Sequence, residues 1–312
     1  MAPLVLVTGA TGFVGQALVP ALAARGLKVR AASRHPAWTN WQGVPGIEQT
    51  VMPDLASMVQ WEPLLDGVTH IVHTAGLAHA DGQHDLAAYK RINTDATLRL
   101  AMEAKRMDIA RLVYLSSIRA QSGPSSPVPL NETQEPTPTD DYGLSKLMAE
   151  RALALVDQDW VSLRPVLVYG PGVKANMAAL LKLARTRLLL PFGSLSGQRS
   201  LLSLQNLCSA VAFALSDACP VKRCFIVSDP EPVNLPQIIT ALRTGLGRRP
   251  GLLPVPEAVL RTGLRLAGRA MMFEKLAGGL VAQPAALMQA GWQPEVQTLQ
   301  GLAHLAAGST AS

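Results

Sequence analysis

The chain has 312 residues, 48% of them hydrophobic and 16% charged, enough apolar material for one large core or a domain with a smaller companion. That balance, with a mean hydropathy of +0.20, excludes a disordered chain. The net charge of +6 is scattered rather than gathered into a basic arm or stripe, which excludes a dedicated nucleic-acid binder. Apolar runs are broken by charge, as at Arg261, Arg265, Arg269, Glu274 and Lys275, so no membrane span of about 20 residues fits and no membrane partner is expected. No basic leader precedes the first apolar run. Three cysteines (Cys208, Cys219 and Cys224) show no paired metal spacing, so a cytoplasmic protein with reduced thiols, no signal peptide and no metal is expected.

Residues 3–8 predict a buried strand, and a glycine cluster follows at once: Gly9, Ala10, Thr11, Gly12, Phe13, Val14, Gly15. A helical apolar pattern through Ala17, Leu18 and Leu22 comes next. Strand, glycine turn and helix in that order open a dinucleotide-binding fold. Gly9 permits the tight turn, Gly12 lacks a side chain where backbone must approach a pyrophosphate, and Gly15 allows close helix packing. The helix N-terminus offers N–H groups and a positive dipole end to phosphates.

A second strand over 27–32 ends at Ser33 and Arg34. In such folds an acidic residue here hydrogen-bonds a ribose 2′-hydroxyl and repels a 2′-phosphate. A hydroxyl beside a guanidinium suits the phosphate, so NADP is expected in preference to NAD. A third strand ending near Met52 leads to Asp54 and Leu55, placed to border an adenine. The fourth, 69–73, runs into Thr74, Ala75 and Gly76, small residues that leave room for a cofactor across the sheet edge. His70, His73 and His79 do not form a metal site, because the odd offset sends His70 and His73 to opposite faces of the strand.

Asn93 falls in a helical stretch over 89–95, and a fifth strand, 111–115, delivers Ser116 and Ser117. The proline-rich, polar loop 123–138 is expected to cover the surface rather than fill the core. A helix begins near Asp140 and Asp141, whose carboxylates suit its N-terminus, and presents Tyr142 and Lys146 at i and i+4 on one face. A phenol ordinarily titrates at about 10. An adjacent ammonium stabilises the phenolate, so Lys146 is expected to lower Tyr142 and make it a general acid or base at neutral pH. Ser117 is placed to hydrogen-bond the same substrate oxygen. A sixth strand, 160–164, runs through Pro165 into 166–172. Beyond Gly170 the alternation of strand and helix breaks down, with helices near 175–187 and 235–246. One strand, 223–227, is expected to return to the sheet, and the tail from Gly308 to fray. The expected fold is a doubly wound parallel α/β sheet of the Rossmann type (1–168 and 201–230) with a smaller mixed α/β substrate-binding domain (169–200 and 231–312).

These pieces resemble the extended short-chain dehydrogenases/reductases, in the group of nucleotide-sugar epimerases, dehydratases and reductases. The resemblance rests on residues 8–15, Asp54-Leu55, Ala75-Gly76, Asn93, Ser116-Ser117, the run from Tyr142 to Lys146, and Arg164-Pro165 through Gly172, all in the family's order. It implies Ser117, Tyr142 and Lys146 as the catalytic set, Asn93 supporting a proton path, Pro165 and Val168 beside the nicotinamide, and a homodimer. The second half is similar to UDP-sugar enzymes, in particular bacterial reductases of UDP-4-keto-6-deoxy-N-acetylhexosamines in surface-polysaccharide synthesis, and to UDP-glucose 4-epimerases. That similarity implies Asn176 and Arg199 on the UDP diphosphate and Leu190, Pro191 and Phe192 beside the uracil. A diphosphate does need a guanidinium and amide donors, and a pyrimidine a flat apolar wall.

One departure narrows the expectation. The family's dehydratases carry an Asp-Glu pair directly after the catalytic Ser/Thr, whereas Ser117 is followed by Ile118 and Arg119. Neither can move the protons that dehydration requires. With Ser33 and Arg34 suited to an exchanging NADPH, the leading expectation is a reductase acting at C4 of a UDP-sugar, the alternative a UDP-hexose 4-epimerase with tightly held NAD. The retained Tyr142 and Lys146 argue against a non-catalytic dinucleotide sensor.

Overall fold

The computed structural model describes residues 3–34, 41–57, 60–78, 84–269, 273 and 277–309. Its strands are β1 (Leu4–Thr8), β2 (Lys28–Ser33), β3 (Ile47–Val51), β4 (His70–His73), β5 (Arg111–Leu115) and β6 (Trp160–Pro165), then β7 (Leu167–Tyr169), β8 (Gln198–Arg199), β9 (Leu201–Ser203), β10 (Arg223–Val227) and β11 (Val233–Asn234). The helices between them are α1 (Phe13–Ala23), α2 (Glu62–Leu65), α3 (Leu86–Tyr89), α4 (Ala96–Arg106), α5 (Asp141–Leu153), α6 (Ala175–Ala184), α7 (Leu204–Ala214), α8 (Leu235–Gly245) and α9 (Glu257–Leu266). Two further helices, Ala285–Gln289 and Thr298–Gly308, follow.

Seven strands form one parallel sheet in the order β10-β6-β5-β4-β1-β2-β3. Chain reversal at β1 puts a crevice at the carboxyl ends of β1 and β4, where ligands of such sheets bind. Both faces are buried, and strand alternation divides the side chains between them. Val5, Val7, Val72 and Val113 pack with Leu18 and Leu22 of α1 and Leu207 and Val211 of α7. Leu6, Ile71, Leu112 and Tyr114 pack on the other side with Leu100 of α4 and Ala149 and Leu153 of α5. Glu150 of α5 and Arg164 of β6, 3% and 5% exposed, form a buried ion pair that fastens α5 to the sheet. Tyr169, Met177, Ile238, Leu242 and Leu302 make a separate core, and Leu190, Leu195, Leu235 and Ile239 another, both on the C-terminal side of the chain.

The strand expected at 223–227 does return, Arg223 pairing with Val161 and Val227 with Pro165. Two expectations need correction. The loop 123–138 is not wholly superficial: Leu130 is 5% exposed within the main core, held by Leu130 N–H to Val281 O and Gln283 N–H to Leu130 O. Glu132 of the same loop accepts from Ile226 N–H and so occupies the edge of β10. The tail does not fray at Gly308, which ends the helix Thr298–Gly308, and Arg185 donates to Ser309 O. Residues 310–312, and His79, lie outside the described residues.

Candidate active site

The glycine turn joins β1 to α1. Gly9 has φ +71°, and a Cβ there would lie 2.8 Å from Ala75 N and Thr74 Oγ1, so the end of β4 closes directly onto it. A Cβ on Gly15 would collide with Gly9 O and lie 2.7 Å from the Ala10 backbone, which explains how close α1 comes to the turn. Gly12 is the N-cap of α1 in extended conformation, and no side chain caps the helix. Its first N–H groups, those of Phe13 and Val14 among them, are therefore not claimed by a cap, an arrangement suited to a phosphate. Thr74 Oγ1 donates to Thr8 O at 2.6 Å, tying the two strand ends together.

The catalytic candidates meet around the end of β5. Ser117 follows the strand and opens a short 3₁₀ turn (Ile118–Ala120), its Oγ accepting from Arg119 N–H at 3.2 Å. Asp140 caps α5 by accepting from Gly143 N–H at 2.7 Å, which starts the helix one residue before Tyr142. Tyr142 is half-buried as a residue, its hydroxyl is hydrogen-bonded with the Ser117 side chain, and its ring stands edge-on to Tyr89 with centroids 5.9 Å apart. Lys146 lies one turn on, 5% exposed, donating to Leu115 O at 2.9 Å. Asn93 sits inside a π-helical turn (Lys90–Asp95), a geometry often found at functional sites. Its Oδ1 accepts from Leu77 N–H at 2.8 Å and its Nδ2 donates to Leu77 O and Ser145 Oγ, so it laces the segment after β4 to α5. Gly76 completes the group: a Cβ there would lie 2.7 Å from Asn93 Oδ1 and 3.7 Å from Lys146 Nζ.

The electrostatics differ from expectation. Tyr142 is pushed above its ordinary value, chiefly by burial; the Ser117 hydrogen bond and the charge of Arg119 act the other way. Arg119 is a cation that lowers the phenol, against the larger effect of burial. Burial lowers Lys146 to about 8, because an ammonium loses hydration there, and its charge is spent over the Tyr114 ring. His73, fully buried beneath that ring and hydrogen-bonded with Thr8 Oγ1 at 2.8 Å, is lowered to about 3, first by burial and then by Lys146. It is a neutral core group. In the sequence Arg119 stands out only as a departure from the dehydratases' acidic pair, and Tyr114 is not singled out; it precedes the serine pair by two positions, which is the only signal it offers.

The remaining candidates are spread more widely. Ser33, 2% exposed, shares a hydrogen bond with Thr11 at 2.9 Å, while Arg34 is exposed beside it. Asp54 is exposed and accepts from Ala56 N–H, whereas the Leu55 side chain lies in the core with 3% exposure. Pro165 is buried at the end of β6 and Val168 half-buried on β7. Asn176 is exposed in the first turn of α6. Leu190 is buried in an apolar core, and Pro191 and Phe192 after it are half-buried. Arg199 on β8 donates to Gly278 O at 2.6 Å, and burial lowers its guanidinium.

A family model described as the NAD dependent epimerase/dehydratase family matches residues 5–225. The chain belongs to this family. It is 33% identical over 307 residues to a UDP-glucose 4-epimerase of Vibrio cholerae, covering 95% of this chain and 92% of that protein. It is 29% identical over 265 residues to a ceramide reductase of Caulobacter vibrioides, covering 83% and 75% respectively. Among solved structures, the Bordetella bronchiseptica enzyme WbmG in complex with NAD superposes with a TM-score of 0.78 at 19% identity, covering 100% of this chain and 95% of that one. A UDP-N-acetylglucosamine 4-epimerase from Bacillus cereus gives 0.76 at 19% identity, covering 98% and 99%. Membership makes this protein an enzyme of the NAD-dependent epimerase/dehydratase type on a Rossmann-like fold. Among the described residues no helix is long and apolar enough to cross a membrane.

Proposed function

We propose that the protein is an NAD(P)-dependent oxidoreductase acting at C4 of a UDP-sugar, and that it works in the reductive direction on a UDP-4-keto-6-deoxy-N-acetylhexosamine. The observation that carries this reading is the Ser117–Tyr142 hydroxyl pair with Lys146 one helical turn away. The residues fit a dinucleotide: the uncapped start of α1 and the bare backbone at Gly9 and Gly12 form its phosphate cradle, and Gly76 leaves a gap beside Lys146 and Asn93. When bound, the reduced nicotinamide supplies a hydride to the carbonyl carbon. Ser117 holds the carbonyl oxygen by hydrogen bonding. Tyr142, kept protonated by burial, gives its proton to the oxygen as negative charge develops there. Lys146, lowered by burial to about 8, would hold the ribose of the bound nicotinamide.

NADP is the preferred cofactor in this reading. Because the Ser33 hydroxyl is already shared with Thr11, the exposed Arg34 carries the contact to a 2′-phosphate. Asn176 and Arg199 are assigned to the diphosphate, and Leu190, Pro191 and Phe192 to the uracil, with residues 169–200 and 231–312 as the sugar-nucleotide domain against a dinucleotide domain of 1–168 and 201–230. A homodimer in the cytoplasm belongs to the same reading. The similarity to the Vibrio cholerae UDP-glucose 4-epimerase over nearly the whole chain favours a second reading, a UDP-hexose 4-epimerase that retains NAD. Denaturing the purified protein and identifying the released nucleotide separates the two. A reductase yields little nucleotide and takes up added NADPH, whereas one NAD per chain, not exchanged on dialysis, would replace the first reading by the second.

A further inference from the structure

The turn after Ser117 and the start of α5 are held together by more contacts than either needs to form. The Arg119 guanidinium pairs with Asp140, which also caps α5 through Gly143 N–H. The Arg119 backbone presses on Gly143, where a Cβ would collide with Arg119 O and lie 2.9 Å from its carbonyl carbon. Arg119 N–H meanwhile donates to Ser117 Oγ. A single residue therefore touches both the serine and the cap of the helix that carries the tyrosine. The Nε and Nη1 of Arg119 are buried with no hydrogen-bond partner among the described residues. Two of its three nitrogens are thus out of water, and the third faces Asp140.

We propose that Arg119 is a positioning residue: paired with Asp140, it clamps the turn of Ser117 to the helix of Tyr142 and sets its positive charge against that of Asp140 at the phenol. The position that carries an acid/base pair in the family's dehydratases would here adjust the proton donor instead of moving protons itself. Among the described residues, the Tyr114 phenol on β5 interacts with Tyr142, and four further groups act on it. Ser117 and Arg119 approach from the turn, Asp140 from the cap, and Tyr89 from α3; Lys146 lies on the same helix, turned to Leu115 O and the Tyr114 ring. Arg119 stabilises the phenolate, whereas Asp140 and Tyr89 oppose it. The inference deepens the reading of Tyr142 as proton donor, and its test needs no substrate, so the two can fail separately.

The chain has four tyrosines, so carbon-13 labelling of the tyrosine ζ-carbon gives four resonances, with Tyr142 assigned by its loss in Tyr142→Phe. Titrated in the full chain, Arg119→Met should move the Tyr142 midpoint upward by about one pH unit, the scale expected for loss of a neighbouring charge. Arg119→Lys should stay near the wild type, and Asp140→Asn should move downward. A purely structural role predicts the opposite for Arg119→Met, since a loosened clamp admits water and brings the phenol down toward its ordinary value. An unmoved or lowered midpoint in Arg119→Met would overturn the proposal. Should that variant fail to fold, Arg119→Gln, which keeps a donor to Asp140 without the charge, must show the upward shift; its absence overturns the proposal equally.

Discussion

The ammonium of Lys146 lies 4.8 Å from the centroid of the Tyr114 ring, and His73 stacks beneath the same ring at 6.0 Å. Tyr114 therefore contacts both the Lys146 ammonium and a neutral, buried imidazole at the end of β5. Desolvation here brings Lys146 to about 8, near enough to physiological pH for proton exchange.

Lys146 should cost stability at neutral pH. Its folded value of about 8 lies below the ordinary 10.5, so between those values the unfolded chain binds more protons than the folded one. Stability then rises as pH climbs through this window. We expect Lys146→Met to be more stable than the wild type at pH 7 by on the order of 2–3 kcal/mol and inactive, with the gap closing as pH rises. Melting curves of both proteins across the window check this; a gap independent of pH would contradict it.

The three glycines of the turn should respond differently to alanine. At Gly12 the new Cβ meets only Gly9 O, at 3.2 Å, with ordinary backbone, so the fold should be kept while dinucleotide affinity falls by about tenfold or more, since the methyl intrudes where the phosphates approach. At Gly15 the Cβ runs into the backbone of the turn, and a loss of about 1–3 kcal/mol in stability is expected. Gly9→Ala adds strain at φ +71° to a clash with Ala75. Thermal melts beside nucleotide titrations separate these effects.

Much of this site was legible in the sequence because its signals are local. The order of strand, glycine turn and helix, and the i, i+4 spacing of Tyr142 and Lys146, are carried by neighbouring residues. The direction of the Tyr142 shift was not legible, because it is set chiefly by burial, which tertiary packing decides, while Lys146 is drawn toward Leu115 O and Tyr114. Leu130 was misread for a similar reason. A single leucine among prolines and polar residues gives no periodicity, and only its backbone pairing with Val281 and Gln283 takes it into the core. The π-helical turn that directs Asn93 to Leu77 likewise leaves no mark on composition.

Arg34 offers the simplest test of cofactor choice. Loss of one charge-assisted contact to a 2′-phosphate is worth about 1.5–3 kcal/mol, so Arg34→Ala should weaken NADPH binding by roughly 10- to 100-fold and leave NADH nearly unchanged. Fluorescence titration with both cofactors reads this directly. Equal losses for the two would remove the 2′-phosphate role of Arg34.

The most direct test of the proposed activity is to mix the purified protein with NADPH and a UDP-4-keto-6-deoxy-N-acetylhexosamine and follow absorbance of the reduced cofactor. We expect NADPH to be oxidised one-for-one with formation of the 4-hydroxy sugar, and the rate to fall by about 10²- to 10⁴-fold in Tyr142→Phe while cofactor affinity is largely kept. No oxidation by the wild type, together with interconversion of UDP-hexose C4 epimers without added cofactor, would contradict the reductase and establish the epimerase in its place.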